Sequence, residues 1–187
     1  MRILVTGANG FVGAALCRRL AGAGHHVRGL VRKTSDLSLL EGVSVELATG
    51  SLEDGASLAR AARGAELVFH VAAAVTDWGT LAYSREVNVE GTRRLLDASV
   101  LAGVKRFVLV SSVAVHSFLG ASDMDENSPQ LPTPFPYCQT KREAEALALS
   151  YHREGKIAVT VVRPGDIFGP GDRVSLLKMA GLLESGR

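Results

Sequence analysis

The sequence predicts an α/β protein built on a doubly wound parallel sheet, and three features of the chain carry that prediction. Short runs rich in Val, Ile and Leu recur, segments with apolar residues at helical spacing separate them, and glycines stand where several of those helices should end. Apolar runs of this kind are typical of parallel strands buried on both faces and joined by right-handed helical crossovers. The predicted strands are RILVTG (2–7), HVRGLV (26–31), VSVELA (43–48), LVFHVA (67–72), RFVLVSS (106–112) and AVTVVRP (158–164).

The first strand is followed by a glycine-rich turn, TGANGFVG, that leads into the first helix. Glycine lets the backbone bend sharply and lets a pyrophosphate approach the free N–H groups of a helix N-terminus, where the helix dipole favours an anion. A turn needed only for packing could have the same composition, but the strand–turn–helix context favours dinucleotide binding. The residues expected around the dinucleotide here are Gly7, Asn9, Gly10, Phe11, Val12 and Gly13.

The first helix is predicted from Val12, Leu16 and Leu20, whose spacing puts them on one face. Arg18 and Arg19 then point outward. A later helix is predicted in the same way from Val89, Leu95, Leu96 and Val100. Glycines suited to left-handed helix caps follow the two helices: Gly22, Gly24 and Gly103.

The end of the second strand indicates which nicotinamide dinucleotide the turn would receive. An acidic residue there would bind the ribose hydroxyls of NAD, whereas a cation would accommodate the 2′-phosphate of NADP. The chain has Val31, Arg32 and Lys33 at this corner, and Asp36 lies too far along. NADP is therefore favoured, with NAD as the alternative; two solvated surface cations would be the interpretation without a function.

Composition and charge exclude several classes of function. The net charge is only +2 and the basic residues occur as scattered pairs, so nothing indicates a nucleic acid or an anionic membrane as partner. Cys17 and Cys138 fit neither a disulfide framework nor a zinc site, and no metal is expected. The chain opens directly on a strand, and its longest apolar run, LVFHVAAAV, is too short to span a bilayer. We expect a soluble, cytoplasmic protein.

A long loop rich in Pro, Ser and acidic residues, 117–136, leads to a helix with Tyr137 at its start and Lys141 one turn later. At this spacing the phenol and the ammonium lie on one helix face, and the cation would lower the phenol's pKa from its ordinary value of about 10. Such a pair can act as a proton-transfer device, although Tyr-x-x-x-Lys also occurs by chance.

Other polar side chains are weaker candidates. His25 and His26 indicate a solvated turn rather than a metal site. His70 is interpreted as a satisfied core histidine, and His116 as a residue that could line a substrate pocket. Cys138 is interpreted as a packing residue. The acidic residues of the long loop are interpreted as solvated: Asp125 and Glu126.

Six motifs occur in order along the chain: TGANGFVG (6–13), FHVAAAV (69–75), NVEGT (88–92), VSSVAV (110–115), Tyr137 with Lys141, and RPGDIFGPGD (163–172). Together they resemble the extended short-chain dehydrogenase/reductase family, which includes NAD-dependent epimerases, dihydroflavonol reductases and 3β-hydroxysteroid dehydrogenases. The resemblance covers the chain to about residue 173 and implies a Rossmann-type sheet.

By this resemblance Tyr137 is the catalytic acid or base, and Lys141 binds the nicotinamide ribose and lowers the pKa of Tyr137. Ser112 would hydrogen-bond the reacting oxygen; it is preferred to Ser111 because the family's catalytic hydroxyl directly precedes a short run of small or apolar residues. Asn88 is expected to hold the active-site backbone. The further cofactor contacts expected are Ser51, Leu52, Ala72, Ala73, Pro164 and Ile167.

Two departures from the family's pattern matter. Ser51 stands where many relatives have an Asp that contacts the adenine, which weakens one expected contact. Val113 and Ala114 stand where the related sugar-nucleotide dehydratases have an acidic pair, so dehydration is disfavoured.

The leading hypothesis is an NADP(H)-dependent oxidoreductase that transfers hydride to or from a carbonyl or secondary alcohol of an apolar small molecule. Val75, Trp78 and Leu81 fall near the expected substrate and suggest its apolar character. A nucleotide-sugar epimerase with tightly held NAD is one alternative. A non-catalytic NADP-binding sensor is another, although relatives of that kind typically lack the Tyr and Lys.

Members of the family that the chain resembles are considerably longer than 187 residues. We therefore expect residues 1–173 to form the dinucleotide-binding domain and residues 174–187 to begin a substrate-binding region that is largely missing. A helix is predicted there from Val174, Leu177, Leu182 and Leu183. Apolar surface left exposed in such a fragment would favour self-association, for example as a homodimer.

Overall fold

The computed structural model describes residues 1–75, 79–116, 123–172, 181 and 183. The predictions for Trp78 and for the helix after residue 172 lie outside the described residues, except that Leu183 is helical and exposed. The elements are β1 (Arg2–Thr6), α1 (Phe11–Gly22), β2 (His26–Val31), β3 (Glu46–Thr49), α2 (Gly55–Ala62), β4 (Leu67–His70), α3 (Leu81–Arg85), α4 (Gly91–Leu101), β5 (Arg106–Val110), α5 (Pro136–Arg153) and β6 (Ala158–Val162). A π-helical segment, Glu86–Glu90, joins α3 to α4, and short 3-10 turns occupy Ser38–Leu40 and Val113–Val115.

The six strands form one parallel sheet in the order β3-β2-β1-β4-β5-β6. This order confirms the predicted doubly wound, Rossmann-type sheet. Strands β2 and β3 follow one another on one side of β1, and β4, β5 and β6 follow on the other side. This change of side opens a crevice at the carboxyl ends of β1 and β4, which is where sheets of this kind bind ligands.

The central strands are buried on both faces as predicted, but the prediction was wrong for the two edge strands. Leu47 in β3 and Val162 in β6 are each 45% exposed. An edge strand has one neighbour, and the helices do not cover it completely. Strand β3 also begins at Glu46 rather than at the predicted position 43, although Val43 and Val45 before it pack against the core.

Two apolar clusters fill the two faces of the sheet. On the α1 face, the fully buried helix residues are the small Gly13, Ala14 and Cys17. Leu16 and Leu20, which were predicted to face the core, are only partly buried at its margin. Small side chains let α1 approach the sheet closely, which displaces the leucines to the flank. The residues predicted to point outward are exposed: Arg18 and Arg19.

The helix caps follow the glycine pattern in part. Gly24 and Gly103 adopt φ of +78° and +71° after α1 and α4, whereas Gly22 is still the last residue of α1. The helix predicted around residues 89–100 begins earlier, because α3, the π-helical segment and α4 follow one another without a break. In the described part of the chain, no helix has both the length and the apolar character needed to cross a bilayer.

Candidate active site

The glycine turn after β1 is shaped by close backbone approaches. Gly7 has φ +66°, and a Cβ on it would lie 2.9 Å from the Ala72 backbone. A Cβ on Gly13 would lie 2.0 Å from the Gly7 carbonyl oxygen, whereas one on Gly10 would lie 3.3 Å from it. Gly10 is the N-cap of α1 and provides no side-chain cap. The first N–H groups of α1 therefore remain available to an anion.

A cavity of about 760 Å³ opens beside this turn, at the carboxyl ends of β1, β2 and β4. Small-molecule sites typically have volumes of about 300–1,000 Å³. The predicted cofactor residues in its lining are Gly7, Asn9, Gly10, Phe11, Val12, Gly13, Arg32, Ser51, Leu52, Ala72 and Ala73. Lining residues that the sequence analysis missed include Leu30, Gly50, Glu53, Ala74, Tyr83 and Val87. Leu30, Gly50, Glu53 and Ala74 lie at or shortly after strand ends, which was their only signal, whereas Tyr83 and Val87 come from α3 and the π-helical segment and had none.

Five of the predicted cofactor residues are not part of this lining: Lys33, Tyr137, Lys141, Pro164 and Ile167. Lys33 is not equivalent to Arg32: both are exposed, but Arg32 is part of the lining and Lys33 is not. Ile167 is 38% exposed. The carbonyl of Pro164 accepts a hydrogen bond from the Val113 N–H at 3.0 Å, which ties the end of β6 to the turn after Ser112.

The cavity wall at the end of β2 carries opposite charges. Arg32 lies in this wall, and its backbone N–H donates to Ser35 Oγ at 3.1 Å. Glu53, in the turn after β3, brings a carboxylate to the same cavity. An arginine here would attract a phosphate, while the carboxylate would partly offset that attraction.

Ser112 and Tyr137 meet where β5 ends and α5 begins. Ser112 Oγ accepts the Ala114 N–H at 3.1 Å and caps the short turn that follows β5. Pro136 starts α5, a position that proline favours, and this places Tyr137 in the first turn. Burial raises the pKa of Tyr137, although its hydrogen bond with Ser112 acts in the opposite direction. Ser112, rather than the buried Ser111, is thus the hydroxyl paired with Tyr137.

Lys141 lies one turn later on the same helix face, with Nζ 5.8 Å from the centroid of the Tyr137 ring. Its ammonium donates to the Val110 carbonyl at 2.8 Å. Burial lowers the pKa of Lys141 to about 8. The pKa of Tyr137 is raised overall rather than lowered, because desolvation of the phenol outweighs its hydrogen bond with Ser112. The lowering contributed by the Lys141 cation stays a prediction.

Asn88 connects the cavity wall to the helix of Tyr137 and Lys141. Its Oδ1 accepts the Ala74 N–H at 2.7 Å, and its Nδ2 donates to the Ala74 carbonyl at 3.1 Å. Nδ2 also donates to Thr140 Oγ1 at 3.0 Å. The wide π-helical turn presents this side chain from within a helix, as such turns often do at functional sites. The expectation that Asn88 holds backbone at the site is confirmed.

A buried ion pair between Arg163 and Glu145, which was not predicted from the sequence, connects α5 to the segment after β6. Arg163, just after β6, donates to both carboxylate oxygens of Glu145, which is 1% exposed. Gln130 Nε2 donates to the same carboxylate at 2.6 Å, and Arg163 Nη1 donates to the Glu126 carbonyl at 3.0 Å. Burial alone would raise the pKa of Glu145, but these partners bring it below its ordinary value.

The two buried histidines, His70 and His116, form hydrogen bonds within the fold. His116 was interpreted as a possible pocket residue, but it is 4% exposed; its Nδ1 donates to the Pro129 carbonyl and its Nε2 accepts from Arg163. The interpretation of His70 as a satisfied core histidine is confirmed, since both ring nitrogens have partners. Among the described residues, no three His, Cys, Asp or Glu side chains are grouped to hold a metal ion. The two cysteines are buried: Cys17 and Cys138.

Comparison with known proteins gives a consistent result. The model of the NAD dependent epimerase/dehydratase family matches residues 3–184. A 3-beta-hydroxysteroid dehydrogenase of Mycolicibacterium neoaurum is 35% identical over 189 residues, which cover 95% of this chain and 50% of that protein. A 2-alkyl-3-oxoalkanoate reductase of Stenotrophomonas maltophilia is 33% identical over 194 residues, covering 100% of this chain and 57% of the reductase.

Solved structures agree with the sequence matches. The crystal structure of dTDP-glucose 4,6-dehydratase from Streptomyces venezuelae with NAD bound has a TM-score of 0.88 and 30% identity, covering 99% of this chain and 63% of the dehydratase. The chain thus spans between one half and two thirds of the length of these relatives. Because the family model extends over nearly the whole chain and relatives above 30% identity do the same, the chain belongs to the NAD dependent epimerase/dehydratase family.

Proposed function

We propose that this chain binds NADP(H) in the cavity and is the catalytic part of an oxidoreductase that transfers hydride to or from a carbonyl or secondary alcohol. The observation that carries this proposal is the Ser112, Tyr137 and Lys141 set, which Asn88 connects to the cavity wall through Ala74. Residues 1–173 would form the dinucleotide-binding domain, and the substrate-binding region would begin after them.

The residues around the cavity fit a dinucleotide. At Gly7 and Gly13 a side chain would occupy the space between the turn and its neighbours, and the N-terminus of α1 is open to a pyrophosphate. Arg32 would hold the 2′-phosphate that distinguishes NADP from NAD. Ser51 and Leu52 would contact the adenine side of the dinucleotide.

When bound, the nicotinamide would supply or accept the hydride, so the chain has to orient the reacting carbon and handle one proton. Tyr137, whose raised pKa keeps the phenol protonated near neutral pH, would donate its proton to the carbonyl oxygen during reduction. Solvent would then return a proton to the phenolate. Ser112 would donate its O–H to the same oxygen. Lys141 has two N–H groups besides the one on Val110, and these would bind the ribose hydroxyls.

Apolar residues beside this set support an apolar substrate. Val113 follows Ser112 and is 42% exposed, while Phe135 precedes α5 and is 50% exposed. Val75, in the cavity lining, is 71% exposed. The similarity to a steroid dehydrogenase and an alkyl-oxoalkanoate reductase supports the same substrate class.

The cofactor proposal is tested by fluorescence titration with NADPH and NADH. We expect NADPH to bind more tightly, and Arg32→Asp to abolish or reverse that preference. Lys33→Asp is the matched control, since it makes the same change of charge outside the cavity lining and should retain the preference. Equal affinities of the unmutated chain for the two dinucleotides would refute the assignment to NADP.

The catalytic proposal is tested with Tyr137→Phe in a preparation that reduces a candidate ketone. The variant should lose about a hundredfold or more in kcat, the usual contribution of an acid catalyst, while its dinucleotide Kd stays nearly constant. Tyr151→Phe is the control, because the Tyr151 hydroxyl bonds Asp97 rather than the site. Activity of Tyr137→Phe within tenfold of the unmutated chain would mean that another group moves the proton.

An epimerase that holds NAD tightly is the second candidate, supported by the family match and by NAD in the related solved structure. It would use the same Tyr and Lys but return the hydride to the substrate. NAD that co-purifies with the protein, with no net redox turnover, would favour this candidate over the reductase.

A further inference from the structure

A line of buried hydrogen bonds runs from the cavity wall to the helical segment that carries Asn88. The Ala72 N–H donates to Thr6 Oγ1 at 3.2 Å, and Thr6 Oγ1 lies 2.8 Å from His70 Nδ1. His70 Nε2 lies 2.9 Å from Thr92 Oγ1, which donates to the Asn88 carbonyl at 2.6 Å. The three side chains in this line are each no more than 2% exposed, so water does not compete for these bonds.

The two ends of the line determine the direction of every bond in it. The Asn88 carbonyl can only accept, so the hydroxyl proton of Thr92 is committed to it and His70 Nε2 must be the donor to Thr92. A neutral imidazole then has a bare Nδ1, which requires the Thr6 hydroxyl as its donor. Thr6 Oγ1 in turn accepts from the Ala72 N–H. Each donor and acceptor in the line is thus used.

Any other protonation state of His70 would disrupt the line. With the proton on Nδ1, the unprotonated Nε2 would need a donor, but Thr92 already donates its only hydroxyl proton to the Asn88 carbonyl. With both nitrogens protonated, the Thr6 hydroxyl would lose its acceptor. Burial and the charge of Lys141 also lower the pKa of His70 to about 3, which is consistent with a permanently neutral ring.

We propose that His70, as the neutral tautomer protonated on Nε2, is a positioning residue that couples the dinucleotide turn to the helix of Tyr137 and Lys141. At one end, Thr6 directly precedes Gly7, whose backbone packs against Ala72. At the other, Asn88 holds both Ala74 and Thr140. The consequence for cofactor binding rests on the proposed function, whereas the tautomer and the coupling do not.

The coupling is tested by amide hydrogen exchange without any ligand. Thr92→Val removes the hydroxyl at the far end of the line, and we expect the Ala72 amide proton to exchange about tenfold faster, the factor that one weakened hydrogen bond of about 1.4 kcal/mol produces. Thr92→Ser should restore protection. The Lys105 amide, which donates to the Glu66 carbonyl, is the internal reference for any global loss of stability.

Ser99→Ala is the matched control, because Ser99 Oγ donates to the Leu95 carbonyl at 2.6 Å in the same helix without touching a histidine. This variant should leave Ala72 protected relative to Lys105. If Thr92→Val and Ser99→Ala affect Ala72 equally, or if Thr92→Ser fails to restore protection, the coupling is refuted.

The tautomer is tested by ¹⁵N NMR of histidine-labelled protein, with the His70 resonances assigned from a His70→Gln variant. We expect the pattern of a neutral ring protonated on Nε2, unchanged between about pH 5 and pH 9. A proton on Nδ1, or a titration within this range, would overturn the proposal.

If Thr92→Val also weakens dinucleotide binding severalfold and Ser99→Ala does not, the coupling reaches the cofactor. If the unmutated chain binds no dinucleotide, the proposed function fails while the exchange and NMR results still decide the role of His70.

Discussion

Replacing Lys141 by methionine should change the pH dependence of stability in a way that only a buried amine can produce. Lys141 is 5% exposed, and burial lowers its pKa from 10.5 to about 8. Because the folded pKa lies below the unfolded one, the unfolded chain binds more protons between about pH 8 and pH 10.5. The free energy of unfolding contributed by this group therefore rises with pH across that window.

The magnitude follows from the two pKa values of Lys141. The difference between 10.5 and about 8 is worth about 3 kcal/mol at about 1.36 kcal/mol per pKa unit. Below about pH 8 the native protein carries this destabilisation in full, and above about pH 10.5 it disappears. Methionine has a similar length and no proton. The variant also leaves the Val110 carbonyl without its donor, a loss of about 1–3 kcal/mol that does not vary with pH.

The assay is urea unfolding of both proteins at a series of pH values between about 7 and 10.5. The stability of the unmutated chain minus that of Lys141→Met should rise by about 3 kcal/mol between about pH 8 and pH 10.5. Other groups titrate in both proteins and cancel in this difference. Lys33→Met, which removes an exposed lysine, should give a flat difference. A Lys141 difference that is also flat would refute the buried-amine argument.

Three further substitutions test the residues that surround the site. Glu145→Gln leaves Arg163 without its carboxylate, and we expect the free energy of unfolding measured in urea to fall by about 3 kcal/mol, at the lower end of the range for broken buried pairs because Arg163 retains some exposure. Gly13→Ala places a Cβ 2.0 Å from the Gly7 carbonyl and should abolish dinucleotide binding in a titration, whereas Gly10→Ala, with 3.3 Å available, should only weaken it. Comparable binding by the two alanine variants would contradict the steric argument.

The features that were predictable from sequence are those encoded by neighbouring residues. The glycine turn is recognised from residues 7–13 alone, because they follow a strand and precede a helix. The spacing of Tyr137 and Lys141 predicts that they share a helix face. The doubly wound, Rossmann-type sheet also followed, because buried parallel strands joined by helices leave few arrangements. Burial of the edge strands did not follow, since it depends on how far the helices cover the sheet, which no local pattern records.

The features that were missed depend on residues distant in sequence. Thr6 and His70 are 64 positions apart, and Glu145 and Arg163 are 18 apart, so neither pair leaves a local signature. The hydrogen bonds of His116 could not be foreseen for the same reason, because its partner Arg163 arrives from the end of β6. The direction of the Tyr137 pKa could not be derived either, since spacing reveals the nearby cation but not the extent of desolvation.

Lys141 connects the stability of this fold to its proposed chemistry. A methionine could occupy a similar volume without the unfavourable burial of an ammonium, which amounts to about 3 kcal/mol at neutral pH. That is a large fraction of the about 5–15 kcal/mol by which folded domains are stable. The hydrogen bond of the ammonium to a backbone carbonyl, worth about 1–3 kcal/mol, at most offsets that cost and leaves no net gain in stability. A site that keeps this group charged, buried and one turn from a protonated phenol is therefore better explained by what the amine binds than by what it contributes to folding.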